Sequence, residues 1–368
     1  MIECPMTIVF AGGGTGGHLY PAIAIANEIK SRMPDADITF VGTKGKIESR
    51  IVPSLGFPLK EIWISGFQRR LSLGTILFPL KVLVSLTQSI LLIRKKAPDA
   101  VVGTGGYVCG PVVAAAQILR RRTLIQEQNS YPGATTRLLA PRADQVHVTF
   151  ERSRRFLKRQ DNVYVSGNPV RGVIGSVLRE DASHFFNLDS SKRTVLIFGG
   201  SSGASSINTA AKGLVKTLVE QSVQVIWQTG DKDFASLAAL MKTQMRGLCL
   251  YSYISEMEYA YAASDLVICR AGATSLAEIA RVGIASVLVP YPFAAADHQT
   301  ENAKAMAEAG ASVIIADSQL TSSLIETVQG LISDLPTLNR MAQSAKRLGK
   351  PEAARTIADA VIRLAHKT

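Results

Sequence analysis

The sequence predicts an α/β protein made of two doubly wound, parallel-sheet halves. Short apolar runs alternate with helical stretches along the chain, as strands buried on both faces do. A glycine turn between a strand and a helix occurs twice, after Ile8–Ala11 and after Thr194–Phe198. The chain has 368 residues, 47% hydrophobic and 19% charged. That composition suits two ordinary cores and excludes a disordered chain.

In the first half the expected strands are Ile8–Ala11, Ile38–Val41, Ala100–Val102, Thr123–Gln126 and Gln145–Val148, with Val163–Ser166 before the joint. Helical segments are expected over Ala22–Ile29 and from about Val112. Gly167-Asn168-Pro169-Val170 punctuates the chain. It puts the first domain at 1–168 and the second at 169–349. The second half repeats the pattern with Thr194–Phe198, Gln224–Gln228, Leu248–Tyr251, Leu266–Cys269, Ser286–Val289 and Ser312–Ile315, and a helix from about Ile207. Residues 350–368 carry a helical stripe (Ala354, Ile357, Ala358, Val361, Ile362, Ala365) that is expected to cross back onto the first domain.

The first glycine turn, Gly12 to Gly17, followed by His18, is a candidate anion site, because backbone N–H groups at a helix start point outward. Gly12, Gly14 and Gly17 satisfy G-x-G-x-x-G, but the second strand ends in Gly42-Thr43-Lys44 with no acidic residue for a ribose hydroxyl. Lys44 leaves an NADP enzyme open. Gly103-Thr104-Gly105-Gly106-Tyr107 is a second such loop. Two anion loops in one half suggest a diphosphate held between them, on Gly13, Gly14, Gly105, Gly106 and Tyr107.

Charge is unevenly placed. Residues 1–170 hold 22 Lys+Arg against 11 Asp+Glu, and residues 171–368 hold 19 against 18. The basic half is expected to face something acidic. A nucleic-acid partner is not expected, since no stacking-aromatic or recognition-helix pattern appears. Residues 76–96 are too interrupted to span a bilayer. Leu77, Phe78 and Leu80 lie beside Arg69, Arg70 and Lys81, an apolar patch rimmed by cations that suits an anionic membrane surface. The N-terminus reads as a strand and not as a signal peptide. Cys4, Cys109, Cys249 and Cys269 have no paired spacing, as expected of free thiols in a reducing cytoplasm.

Further polar groups sit where open α/β sheets bind ligands, at the carboxyl ends of strands. Glu127-Gln128-Asn129 follows one strand, and Glu127 is a candidate base or hydroxyl acceptor. Cys269 to Glu278 ends another strand and starts a helix; Arg270 can neutralise phosphate and Glu278 can accept two ribose hydroxyls. Gln299 and Asn302 share a helix face and suit a sugar's hydroxyls. No metal-ligand spacing is recognised and no Asp-x-Asp is read at a strand end. The expectation is therefore a reaction with no metal or cofactor, served by backbone dipoles and Arg.

Seven motifs stand in order: Gly-Gly-Thr-Gly-Gly-His (13–18), Gly-Gly-Tyr-Val-Cys-Gly-Pro (105–111), Glu-Gln-Asn (127–129), Gly-Asn-Pro-Val-Arg (167–171), Gly-Gly-Ser-Ser-Gly-Ala (199–204), Arg-Ala-Gly-Ala (270–273) with Glu278, and Asp-His-Gln-Thr-Glu-Asn-Ala (297–303). As a set they resemble the MurG family, the bacterial N-acetylglucosamine transferases of glycosyltransferase family 28. The resemblance implies a GT-B fold, two Rossmann-like domains facing across a cleft. It implies inverting transfer of GlcNAc from UDP-GlcNAc to the C4 hydroxyl of MurNAc in lipid I, giving lipid II for peptidoglycan, cell shape and division. The place implied is the cytoplasmic face of the bacterial inner membrane, as a peripheral protein.

By position, the resemblance implies that Ser201 touches the diphosphate, that the Ile254 backbone reads uracil and that Arg171 lies near the nucleotide. Ala273, Thr274, Ser275, Leu276, Ala277 and Glu278 would hold phosphate and ribose, and Gln299 the GlcNAc hydroxyls. Thr15, Gly16, Gly17 and Asn129 would line the acceptor side. His18 is the favoured base and Glu127 the runner-up. Ser202, Thr104 and Cys109 depart from residues the family often has, beside the phosphate loops. The alternative within the fold is another UDP-GlcNAc enzyme, a 2-epimerase or a glycolipid glycosyltransferase.

Overall fold

The computed structural model describes residues 5–66, 77–200, 203–241, 245–294 and 297–366. The chain divides into two compact units, Met1–Arg171 with Pro351–Thr368, and Gly172–Lys350.

The first unit runs β1 (Thr7–Gly12), α1 (Gly16–Arg32), β2 (Asp37–Gly42), α2 (Ile47–Ser54), β3 (Leu59–Glu61), α3 (Phe78–Lys96), β4 (Ala100–Gly105), α4 (Gly106–Ile118), β5 (Arg122–Glu127), α5 (Ala134–Leu139), β6 (Gln145–Val148) and β7 (Val163–Val165). Its seven strands are parallel, in the order β3-β2-β1-β4-β5-β6-β7. The chain reverses direction across the sheet between β1 and β4, where open sheets bind ligands.

The second unit runs α6 (Arg179–Phe185), β8 (Thr194–Phe198), α7 (Ser205–Glu220), β9 (Gln224–Gln228), α8 (Asp231–Met241), β10 (Leu248–Tyr251), α9 (Met257–Ala262), β11 (Leu266–Cys269), α10 (Ala273–Val282), β12 (Ala285–Leu288), α11 (His298–Glu308), β13 (Ser312–Ile314), α12 (Leu320–Ser333) and α13 (Leu335–Leu348). Its six parallel strands follow β10-β9-β8-β11-β12-β13, with the reversal between β8 and β11. The last helix, α14 (Ala353–Ala365), belongs to the first unit. Ile357, Val361 and Leu364 are buried there in one core with Ile8, Phe10, Ile25 and Leu124.

Helix starts differ from the sequence reading. The α1 helix begins at Gly16, six residues before Ala22, and α4 begins at Gly106, six before Val112. Each holds a proline as its sixth residue, Pro21 or Pro111. Glycine and proline read as punctuation in sequence, whereas helices buried on most sides gain more from packing than propensity costs them. The short edge strand β3 was not expected, since Leu59-Lys60-Glu61 has no apolar run.

Candidate active site

In the first unit the β1 turn and the β4 turn lie against each other. The Thr104 hydroxyl donates to the His18 carbonyl at 2.8 Å. Gly105 and Gly106 have φ of 96° and 76°, the left-handed region that glycine tolerates. A Cβ on Gly106 would sit 2.5 Å from the Gly13 carbonyl oxygen, and one on Gly105 would sit 2.7 Å from His18 Nδ1. A side chain therefore has no room at Gly105 or Gly106, and glycine is what lets the two loops touch.

Glu48 takes up part of the diphosphate site expected between these loops. Fully buried on α2, it accepts from the Gly14 N–H at 2.9 Å, the Thr43 N–H at 3.0 Å and the Thr43 hydroxyl at 2.8 Å. The Gly14 amide is thus committed to a resident carboxyl group. The half-buried Tyr107 ring covers Gly14, and its hydroxyl lies 3.4 Å from Thr43 Oγ1. At the start of α1, Gly16 and Gly17 occupy the first turn, where N–H groups have no acceptor within the helix. Thr15, exposed, is the N-cap residue.

His18 is half-buried on that turn. Its Nδ1 lies 3.2 Å from the Thr104 carbonyl oxygen and 3.1 Å from Gln128 Oε1. Both neighbours are acceptors, so Nδ1 carries a proton, and in the neutral ring the lone pair is on Nε2. Among the described residues no group hydrogen-bonds Nε2.

Glu127 does not fit the role of runner-up base. It is 3% exposed. Its Oε1 accepts from the Asn129 N–H at 3.0 Å and Asn129 Nδ2 at 3.2 Å. Its Oε2 accepts from the Gly133 N–H at 2.9 Å and the Thr136 hydroxyl at 2.6 Å. Four donors hold this carboxylate, and it shapes the 127–136 turn. Asn129 is half-buried and partly committed to it. Nearby, burial pushes the Cys109 thiol up to about 12, which leaves it inert.

In the second unit the groups gather at β8, β10, β11 and α10. Gln228 ends β9 and bridges two loops. Its Nε2 donates to the Gly200 carbonyl at 2.9 Å, and its Oε1 accepts from the Ile254 N–H at 2.8 Å. The Ile254 side chain is buried.

The α10 helix starts at Ala273 with Gly272 as N-cap and no side-chain cap. Thr274 and Ser275 are half-buried in its first turn, and Thr274 Oγ1 is buried with no partner among the described residues. Ala273 and Leu276 pack inward while Ala277 is half-buried. Glu278 is buried, and the Tyr261 hydroxyl donates to its Oε2 at 3.0 Å.

Arg270 is held by several protein groups. It pairs with Asp317 at 2.6 Å and donates to Ser206 Oγ at 2.8 Å and to the Val289 and Pro290 carbonyls at 3.2 Å each. It is a strut between the ends of β11 and β12 and the start of α7. Asn302 is likewise held. It is fully buried, and its Nδ2 donates to the Ala271 carbonyl at 3.2 Å, so it braces the turn before α10. Gln299 is half-buried, and its Oε1 accepts from the Tyr291 N–H at 2.9 Å, which turns its NH₂ the other way. An Asp-x-Asp does follow a strand: Asp231 and Asp233 open α8, and Asp233 accepts from Asn208 Nδ2 at 2.8 Å. Arg171, half-buried, ends the first unit. Ser201, Arg69 and Arg70 lie outside the described residues.

The α3 helix inverts the usual pattern. Its buried face is Ser85, Ser89 and Ile93; the serine hydroxyls donate to the Val82 and Ser85 carbonyls. Leu77, Leu80, Val82, Leu83 and Leu91 are exposed, and Phe78 is half-buried. Lys81 lies 5.8 Å from the ring centre of the exposed Trp63, and Arg94, Lys95 and Lys96 close the helix. Among the described residues no helix is long and apolar enough to cross a membrane.

Sequence reasoning missed Glu48, Gln126, Gln228 and Tyr261. Each is a buried polar residue bonding across elements distant in sequence, and no local spacing reports that. A polar side chain inside an apolar strand, as at Gln126 and Gln228, is the one signal that was present.

Comparison with known proteins agrees with this architecture. The N-terminal domain model of glycosyltransferase family 28 matches residues 8–148, and the C-terminal domain model of that family matches residues 194–357. A relative from Chlorobaculum tepidum, named as a UDP-N-acetylglucosamine--N-acetylmuramyl-(pentapeptide) pyrophosphoryl-undecaprenol N-acetylglucosamine transferase, is 46% identical over 98% of this chain and 99% of its own. One of the same name from Flavobacterium psychrophilum is 41% identical over 97% of each. The crystal structure of Acinetobacter baumannii MurG matches with a TM-score of 0.77 and 28% identity, covering 98% of this chain and 100% of that one. A UDP-GlcNAc 2-epimerase from Neisseria meningitidis, at 14% identity and a TM-score of 0.68 over 98% of this chain and 100% of its own, shares the fold alone. The two parallel-sheet units thus form a GT-B fold, and the chain belongs to glycosyltransferase family 28, within the MurG family of N-acetylglucosamine transferases.

Proposed function

We propose that this protein moves GlcNAc from UDP-GlcNAc to the C4 hydroxyl of MurNAc in undecaprenyl-diphosphate-linked lipid I, forming lipid II for peptidoglycan. The near-full-length likeness to relatives of that named activity carries the reading.

In this reading the α10 start takes the UDP diphosphate, with Thr274 Oγ1 as a ready donor and Glu278 accepting from the ribose hydroxyls. The Ile254 carbonyl accepts from uracil, and the Gln299 NH₂ donates to GlcNAc. His18 Nε2 takes the proton of the C4 hydroxyl as its oxygen bonds to C1 of GlcNAc. The C1–O bond to UDP breaks in the same step, and its electron pair leaves on the diphosphate. One in-line displacement converts the α linkage to β. Gly16 and Gly17, at the start of α1, serve the acceptor diphosphate.

The exposed leucines of α3 dip into an anionic membrane, and the basic first unit adds attraction to its headgroups. The protein then works peripherally, on the cytoplasmic face where its lipid acceptor is presented. Incubation with UDP-[14C]GlcNAc and a lipid I analogue tests the reaction: labelled disaccharide-lipid is expected, and its absence overturns the proposal.

A further inference from the structure

A chain of buried amides stands behind His18. Gln128, Gln126 and Asn168 are 2%, 0% and 3% exposed. Asn168 Oδ1 accepts from Gln126 Nε2 at 3.2 Å. Gln126 Oε1 accepts from Gln128 Nε2, which also donates to the Thr104 carbonyl at 2.6 Å. Gln128 Oε1 is left facing His18 Nδ1 at 3.1 Å.

An amide can turn over and exchange donor for acceptor, but a backbone carbonyl cannot. Thr104 is therefore the fixed point of the cluster. Turning Gln128 over would set its oxygen against the Thr104 carbonyl and the Gln126 oxygen, two acceptors facing a third. It would also aim an NH₂ at His18 Nδ1, which would then have to lose its proton. Gln126 and Asn168 could turn with it, since Asn168 Nδ2 has no partner among the described residues, so the fixed Thr104 carbonyl alone decides which way the chain of amides points.

We propose that Gln128, oriented by the Thr104 carbonyl and with Gln126 and Asn168 turned to match, is a positioning residue that fixes the His18 tautomer. It keeps the proton on Nδ1 and so keeps Nε2 as the proton acceptor. The role rests on the reading of His18 as base. The same division of labour holds wherever a second group orients a catalytic imidazole.

The full-length protein labelled with 15N-histidine tests this by NMR, with the His18 resonances assigned by their loss in His18→Gln. In the wild type His18 should show a protonated Nδ1 and an unprotonated Nε2; a protonated Nε2 overturns the proposal without any variant in the core. In Gln128→Met, and more weakly in Gln126→Met, the Nε2-protonated form should rise. Turnover should fall at least about tenfold in Gln128→Met while the KM for UDP-GlcNAc stays within about twofold. A tautomer unmoved in folded Gln128→Met, or a tautomer that moves with kcat intact, overturns it. A wild-type rate in His18→Gln would instead remove His18 as base, which separates failure of that reading from failure of the tautomer lock.

Discussion

At the scale of single residues, two acidic or basic groups near the α1 start look equivalent in sequence and differ in three dimensions. His18 keeps one ring nitrogen without a partner among the described residues; Glu127 gives both oxygens to its own turn. His18→Ala should therefore lower kcat by about 10²–10⁴-fold with UDP affinity unchanged, read by steady-state kinetics and UDP titration. An unimpaired rate would remove His18 from the chemistry. Glu127→Gln places an NH₂ against donors and should cost about 1–3 kcal/mol of stability in a thermal or denaturant melt. A kcat collapse with an unchanged melt would restore Glu127 as base. Glu278→Ala removes the carboxylate oriented by Tyr261 and should raise the KM for UDP-GlcNAc about tenfold or more, the loss of a charged hydrogen bond. A wild-type KM would end its ribose role.

At the scale of elements, the α3 helix shows what periodicity leaves out. Its sequence is apolar on most sides, so hydrophobicity alone does not tell the packed face from the open one. Ser85 and Ser89 decide it, because small side chains whose hydroxyls bond within the helix let α3 lie close against α4. Leucines are pushed to the other side, with Leu83 62% and Leu91 61% exposed. Replacing Leu80 and Leu83 with Ser should weaken binding to anionic vesicles by at least about tenfold while sparing turnover of a soluble acceptor. Equal loss on both substrates would make the face part of the core. The glycine turns carry the converse lesson. Their motif was legible as an anion loop, but Glu48 already occupies the Gly14 amide, and no spacing in sequence links residue 48 to residue 14.

At the scale of the whole molecule, the end of the chain returns to its beginning, and α14 completes the first core. His147 marks how tightly that unit is closed. It donates and accepts within a buried set, with Nδ1 2.7 Å from Ser166 Oγ and Nε2 2.9 Å from Gln145 Oε1, and it stacks on Tyr164. Burial first, and then Arg363 of α14, lower its pKa to about 4. An unfolded histidine titrates near 6.5. Between those values the unfolded chain binds the extra proton, so stability rises with pH across the window and is level above it. Stability should fall as pH drops from about 7 toward 4, with about 2 kcal/mol lost by pH 5 through this residue. Denaturant melts at pH 7 and pH 5 check it. The loss should shrink in His147→Gln, and an equal loss there would assign the acid sensitivity elsewhere.

The sequence by itself determined the two parallel sheets, nearly every strand, the order of the motifs and the family they resemble. Apolar runs and glycine turns are local, and local order is what a sequence displays. Tertiary structure alone decided which polar groups stay available to a ligand. Glu127, Arg270 and Asn302 are consumed by partners that folding brings to them, whereas His18 and Thr274 each keep an atom that no described residue satisfies. A buried polar atom must find a partner somewhere, and which one it finds depends on strands that lie side by side in the sheet and far apart in the chain.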